Sequence, residues 1–145
     1  MSGASLRFSR VLALVVLVSA FGCGGAQVTP TGAPEVRVRV AAHPRANQGR
    51  SVRMIVRQLD DVGAFVADDY AAMARLAAAP DDSVLADRFL RPSSTLEVTV
   101  RPEAEKAVGV YVFLSAPRGS KWKIRSSEGQ SDLQLVVLEH EVRTR

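Results

Sequence analysis

Cysteine occurs once in the 145 residues and histidine twice, and these scarcities exclude much chemistry. A single cysteine, Cys23, forms neither an internal disulfide framework nor a multi-cysteine zinc site. His43 and His140 lie far apart, and neither sits in a recognisable partner motif. Aromatic residues make up only 6%. The net charge of +4 falls to +2, 17 basic against 15 acidic residues, once Arg7 and Arg10 are set aside. That charge is too weak and too dispersed for a nucleic-acid surface, which needs a concentrated basic patch with stacking aromatics. No Gly-x-Ser-x-Gly elbow, phosphate loop or dinucleotide fingerprint is present. The acidic pairs Asp60-Asp61, Asp68-Asp69 and Asp81-Asp82 lack the spaced oxygens and central glycine of a calcium loop. Helix-end and turn chemistry account for them better. Nothing in the residues recommends an enzyme, a metal or a cofactor.

What is present begins with a charge-free run from Val11 to Gly22. Arg7 and Arg10 precede it, Val11 to Val18 is apolar, and Ala20-Phe21-Gly22 puts small residues at −3 and −1 of a cut before Cys23. This is the three-part pattern of an export signal over residues 1–22. Its apolar stretch is far shorter than the roughly 20 residues of a spanning helix. Ala20-Phe21-Gly22-Cys23 resembles a bacterial lipobox, in which the thiol is lipidated and becomes the new N-terminus. A free thiol, an intermolecular disulfide and a buried inert cysteine are the competing fates of Cys23. Gly24 follows instead of Asp, a pattern that resembles outer-membrane sorting. Residues 23–34, rich in glycine, threonine and proline, read as the lipidated cysteine and a flexible tether.

Residues 35–145 are the right size for one domain. Val36, Val38 and Val40 alternate with Arg37 and Arg39; Val52, Met54 and Val56 alternate with Arg53 and Arg57; Leu96, Val98 and Val100 alternate with polar residues. Period two marks half-buried antiparallel strands. Val108 to Leu114 is apolar on both faces, predicting a central strand covered on both sides. Lys121 to Arg125 alternates with Trp122 and Ile124 inward, and Leu133 to Val142 changes parity near Val136-Val137, as a bulge would require. Six strands with Gly/Pro/Ser-rich turns predict a mainly β, antiparallel β-sandwich. Alanine-rich Asp68 to Ala79 predicts a helix, and Asp81-Asp82-Ser83 offers caps for a second over Val84 to about Leu90. A short helical insertion at about 65–91, between the second and third strands, would then cover an open face or edge.

Glu139-His140-Glu141 alternates across a strand and reads as a solvated strand end. If the first two strands pair, Arg37, Arg39, Arg53 and Arg57 share one outward face, either ordinarily solvated or facing an acidic partner. The loop from His43 to Arg50 exceeds a tight hairpin and is a plausible recognition element on a rigid sheet.

Val56-Arg57-Gln58-Leu59, Phe65, Ala67-Asp68-Asp69-Tyr70, Leu85-Ala86-Asp87, Pro92, Val108-Gly109-Val110 and Trp122, in that order after Cys23, resemble the TssJ (VasD, SciN) family of type VI secretion outer-membrane lipoproteins. His43-Pro44 stands where Asn-Pro is usual, and Pro92-Ser93 where Pro-Gly is usual. The resemblance implies a transthyretin-like sandwich without a catalytic role. It implies lipid anchorage at the outer membrane and binding to the periplasmic region of TssM, in a complex that includes TssL. It also implies that the loop His43, Pro44, Arg45, Ala46, Asn47, Gln48, Gly49 and Arg50 contacts TssM. Two other readings stand beside it: a periplasmic ligand carrier, which needs a deep apolar pocket, and a hydrolase, which needs a histidine beside a serine or carboxylate in a cleft.

Overall fold

Valine, arginine and threonine in strict alternation cannot satisfy one apolar face alone, and the chain resolves this by stacking two sheets. The computed structural model describes residues 34–145, so the expected signal peptide, Cys23 and most of the tether lie outside the described residues. Eight strands form two four-stranded sheets. The first sheet has the order β4 (Thr95–Val100), β1 (Val36–Ala42), β7 (Asp132–Val137), β8 (Val142–Thr144). The second has the order β3 (Val84–Leu90), β2 (Val52–Leu59), β5 (Ala107–Phe113), β6 (Lys123–Arg125). All neighbours are antiparallel except β1 and β7, which run parallel. The fold is thus the mainly β sandwich expected, with two more strands than alternation predicts.

Between the sheets lies a core dominated by valine and leucine, including Val38, Val40, Met54, Val56, Val110, Leu133 and Leu135. A second core lies on the outer face of the second sheet, where Ile55, Leu59, Tyr111 and Trp122 meet Met73 and Ala77. Two helices supply the far side of that core: α1 (Val62–Ala67) and α2 (Tyr70–Ala78). Asp61 caps α1 by accepting the Ala64 N–H, and Asp69 caps α2 by accepting that of Ala72. The expectation for β5 holds: Val108, Val110 and Val112 join the inter-sheet core while Tyr111 joins the helical one. Trp122 is 4% exposed, buried as expected, but it does not share a face with Ile124 as the alternation required. It precedes β6 and enters the helical core, whereas Ile124 packs against the inter-sheet core.

Three expectations need correction. Val84–Leu90 is a strand, not a helix, so the insertion consists of residues 62–78 and ends well before 91. Asp81 still does turn chemistry, accepting from the Ser83 N–H and hydroxyl, but pairing with β2 decides the backbone that follows. The run from Leu133 to Val142 is two strands joined by a turn, in which the Leu138 N–H donates to the Glu141 carbonyl. Lastly, β1 and β2 belong to different sheets, and their arginines part company. Arg37 and Arg39 lie outside the first sheet beside Glu97, whereas Arg53 and Arg57 lie against the helical layer.

Arg57 and Asp68 fasten that layer. One guanidinium nitrogen of Arg57 reaches both oxygens of Asp68 at 3.0 and 3.1 Å, and the Tyr111 hydroxyl donates to Asp68 as well. The Lys123 ammonium donates to the carbonyls of Phe65 (2.6 Å), Val66 (3.2 Å) and Asp68 (2.7 Å), satisfying acceptors that α1 leaves open at its C-terminus. Arg53 makes a two-nitrogen pair with Asp87 at 3.0 and 2.5 Å and donates to the Ala77 carbonyl at the end of α2. A helical segment of two short pieces, marginal alone, is held at the junction between them and at its C-terminal end by cations from the sheet beneath it.

Candidate functional site: an end built from three loops

Strand β1 carries the chain from residue 34 to the opposite end of the sandwich, where the loop His43–Arg50 crosses to the other sheet. The backbone N–H of His43 donates to the Val137 carbonyl, and that of Asn47 to Leu138. Asn47 (φ 48) and Gln48 (φ 59) are left-handed, followed by Gly49 at φ 78. Asparagine tolerates that conformation because its short side chain hydrogen-bonds locally. Here the Asn47 side chain donates to the Ser51 carbonyl at 3.1 Å and accepts the Ser115 N–H at 2.6 Å. Ser115 belongs to the β5–β6 loop, and that loop in turn meets the β7–β8 turn: the Arg118 N–H donates to the His140 carbonyl, and the Val142 N–H to that of Lys121. Three loops from two sheets become one hydrogen-bonded surface.

The loop residues singled out from the sequence divide into two sets. Ala46 and Asn47 are buried; His43, Pro44, Arg45, Gln48, Gly49 and Arg50 are exposed. Asn47 is spent on the fold, leaving the six exposed residues to meet anything outside. The sequence had no signal for this, because its partner Ser115 is 68 residues away.

Glu139-His140-Glu141 occupies the β7–β8 turn and is not a solvated strand end. Glu141 is 4% exposed and faces Lys121 (3.2 Å), Arg118 (3.9 Å) and Arg143. Burial pushes its carboxyl up, but the hydrogen bonds and charges of Lys121 and Arg143 outweigh burial and hold it below the ordinary glutamate value. His140 places Nδ1 3.0 Å from the Ala116 carbonyl, and the Nδ1 of His43 accepts the Arg45 N–H at 3.2 Å. Neither histidine hydrogen-bonds a serine among the described residues. No group of three histidine, cysteine or acidic residues with metal-binding spacing occurs among them either.

At the other end, where residue 34 enters, a cleft of about 510 Å³ lies between loops. Its walls mix Val36, Leu59 and Val62 with Glu35, Asp60 and Lys106. The space between the sheets is itself filled by side chains. No helix among the described residues is long and apolar enough to cross a membrane.

A two-sheet sandwich with helices on one outer face and a loop-built end is the fold of type VI secretion lipoproteins. It is similar to TssJ1 from Pseudomonas aeruginosa, with a TM-score of 0.60, 17% identity, and coverage of 77% of this chain and 95% of that one. It is also similar to Lip from Serratia marcescens, a membrane-bound component of that system, with a TM-score of 0.59, 16% identity, and coverage of 77% and 96%. A third similar chain, with a TM-score of 0.62 and 19% identity, comes from a structure described as the TssM C-terminal domain (869–1107) from EAEC. The match covers 76% of this chain and 99% of that one, so the matched chain is far shorter than the range 869–1107. The sequence matches no curated protein. Residues 53–134, more than half of the sequence, match the family model of the IglE N-terminal domain, and the chain belongs to that family.

Proposed function

We propose that this chain is a type VI secretion outer-membrane lipoprotein, without catalytic role, that anchors the trans-envelope complex by binding the periplasmic region of TssM and through it TssL. The observation that carries the reading is the arrangement of the two ends. Residue 34, which follows the Cys23 lipidation signal and tether, enters at one end, and the exposed residues of His43–Arg50 stand at the other. The seven residues of β1 set these ends about 20 Å apart. A triacylated Cys23 would hold the protein on a bilayer stably, since each buried CH₂ contributes about 0.8 kcal/mol and more than one chain is present. The loop end is then directed away from that membrane into the periplasm. The fold shared with TssJ1 and Lip supports the same reading, as does a chain of this fold within a structure of the TssM C-terminal domain.

Two measurements test it. Cys23→Ser should abolish palmitate labelling and release the protein to the soluble periplasmic fraction; unchanged labelling would refute the anchor. Arg45→Ala, Gln48→Ala and Arg50→Ala together, with Asn47 left intact, should weaken binding to purified TssM periplasmic domain at least about tenfold, or 1.4 kcal/mol. The melting temperature should stay near wild type, since exposed loop changes usually cost within about 0.5 kcal/mol. Wild-type affinity in the folded triple variant would remove this loop from the interface.

A further inference from the structure

Charge is segregated along the long axis of the sandwich. The loop end presents Arg45, Arg50, Arg91, Arg118, Lys121 and Arg143, all exposed, against the carboxylates of Glu139 and Glu141. Arg91 belongs to this end because it opens the β3–β4 turn, whose Ser94 carbonyl accepts the N–H of Ala42 where β1 finishes. Glu141 is one buried carboxylate facing three cations. Arg45, Arg50 and Arg91 have no acidic partner among the described residues, and residues 1–33 contain no aspartate or glutamate at all. The opposite end is the reverse: Glu35, Asp60, Asp61, Glu105 and Glu128 surround the cleft against Lys106 and Arg125, with Arg101 beside it paired to Glu35. A net charge of only +2 over residues 34–145 thus conceals two poles of opposite sign.

From this polarity we infer that the whole loop end, not His43–Arg50 alone, is the docking surface, and that it takes an acidic face of a periplasmic protein. The inference rests on the proposed TssM-binding role and names the chemistry of that contact. Uncompensated guanidinium groups on two loops, Arg45 and Arg50 on one and Arg91 on the other, make charge-assisted, often paired hydrogen bonds to carboxylates. A surface of one sign also steers an oppositely charged partner and rejects others. The occupant is a protein surface and not a lipid one for two reasons. The basic pole lies at the end remote from residue 34, so the anchoring membrane faces the acidic pole. Beside the basic pole, on the open edge of the second sheet, Phe89 is 69% exposed between Arg88 and Leu90, and the Arg53 guanidinium lies 5.7 Å from its ring. An exposed aromatic among arginines is the composition of a protein-binding hot spot.

The test compares the full mature protein in detergent with variants in which charge is reversed outside His43–Arg50. Arg91→Glu with Arg118→Glu should weaken binding to purified TssM periplasmic domain at least about tenfold. Arg101→Glu, at the acidic pole, should leave it unchanged. Wild-type affinity should fall at least about tenfold between low and roughly 0.3 M salt, as screening shortens the range of the attraction. Phe89→Ala should weaken binding without altering that salt slope. Because Arg118 lies near Glu141, Arg91→Glu alone, on a turn remote from it, should still show a several-fold loss. Tight wild-type binding that is indifferent to salt and to both reversals would overturn this inference and leave the proposed function standing. No wild-type binding would overturn both. Charge-dependent capture by phosphatidylglycerol vesicles, with binding to the TssM domain unaffected by the reversals, would also overturn it in favour of a lipid surface.

Discussion

The side-chain oxygen of Asn47 accepts the backbone N–H of Ser115 at 2.6 Å, joining a loop that leaves the first sheet to one that leaves the second. Asn47→Ala removes that acceptor and the donation to Ser51, and leaves a left-handed alanine. Ser115 is exposed and its N–H only part-buried, so the lost acceptor costs about 1–2 kcal/mol, and the left-handed alanine about 1–2 kcal/mol more. Denaturant melts should show a loss of about 2–4 kcal/mol. Asn47→Gly should be intermediate, since it cures the backbone but not the missing bonds.

Ser93 adopts φ 61 in the turn Arg91-Pro92-Ser93-Ser94, whose Arg91 carbonyl accepts the Ser94 N–H at 3.2 Å. Proline second and a positive φ third is the type II turn, which favours glycine at that third place. Ser93→Gly relieves the Cβ crowding and adds unfolded-state entropy. The first effect should win, raising stability by up to about 1 kcal/mol in calorimetry. An unchanged or lowered melting temperature would mean that the serine fits the turn without strain.

Gly109 has room for nothing. A Cβ there would lie 2.7 Å from a Tyr111 ring carbon and 2.8 Å from its hydroxyl oxygen. That hydroxyl is committed to Asp68, so the ring has no easy retreat. Gly109→Ala should destabilise by about 1–3 kcal/mol, the range for overpacking, and should lower near-ultraviolet dichroism from the Tyr70, Tyr111 and Trp122 cluster.

Acid should unfold the protein through its paired carboxylates. Hydrogen bonding to Arg53 holds Asp87 below its ordinary value, and Lys121 and Arg143 do the same for Glu141 against burial. Between the lowered folded values and the unfolded values near 4, the unfolded chain binds protons that the folded one refuses. The stabilisation is therefore complete above the unfolded values and lost as pH falls through the folded ones. Melting temperature should be flat from about pH 5 to 8 and fall below about pH 4. Asp87→Asn should lower the plateau and make the acid slope shallower. On the alkaline side, burial and then the bond to Asp68 push the Tyr111 hydroxyl far above its usual value, so that its contribution is complete below about pH 10 and is lost progressively as pH rises beyond that toward the folded value.

Where one face of a strand meets a core, alternation announced it, and β1, β2, β4 and β7 were legible for that reason; β5, covered on both faces, was legible as an unbroken apolar run. β3 was not. Its sequence Val84-Leu85-Ala86-Asp87-Arg88-Phe89-Leu90 follows good helix caps and does not alternate cleanly. Its conformation comes from β2, which supplies the backbone pairing and, through Arg53, a partner for Asp87. The limits of the loop His43–Arg50 were readable from the strands on either side. Its division into buried Asn47 and exposed arginines was not, because Ser115 and Leu138 are brought to it by the fold. The basic pole was equally hidden. Arg91, Arg118 and Lys121 are scattered in sequence and become neighbours only when strand directions decide which turns share an end.

The parallel pair β1–β7 bears on the order of events as the chain folds. Strands β2, β3, β5 and β6 and both helices lie within 52–125, so the second sheet and its helical cover can assemble from one continuous stretch. The first sheet cannot. Its central strand β1 takes one neighbour from β4 and the other from β7, near the end of the chain, so its seam closes only when almost the whole domain is available. Contacts of such long sequence separation are slow to form because the loop entropy is lost before they are gained. In a chain made from its N-terminus, β1 is available first and waits longest. Its outward Arg37 and Arg39 are charges that discourage chance pairing with another chain during that wait.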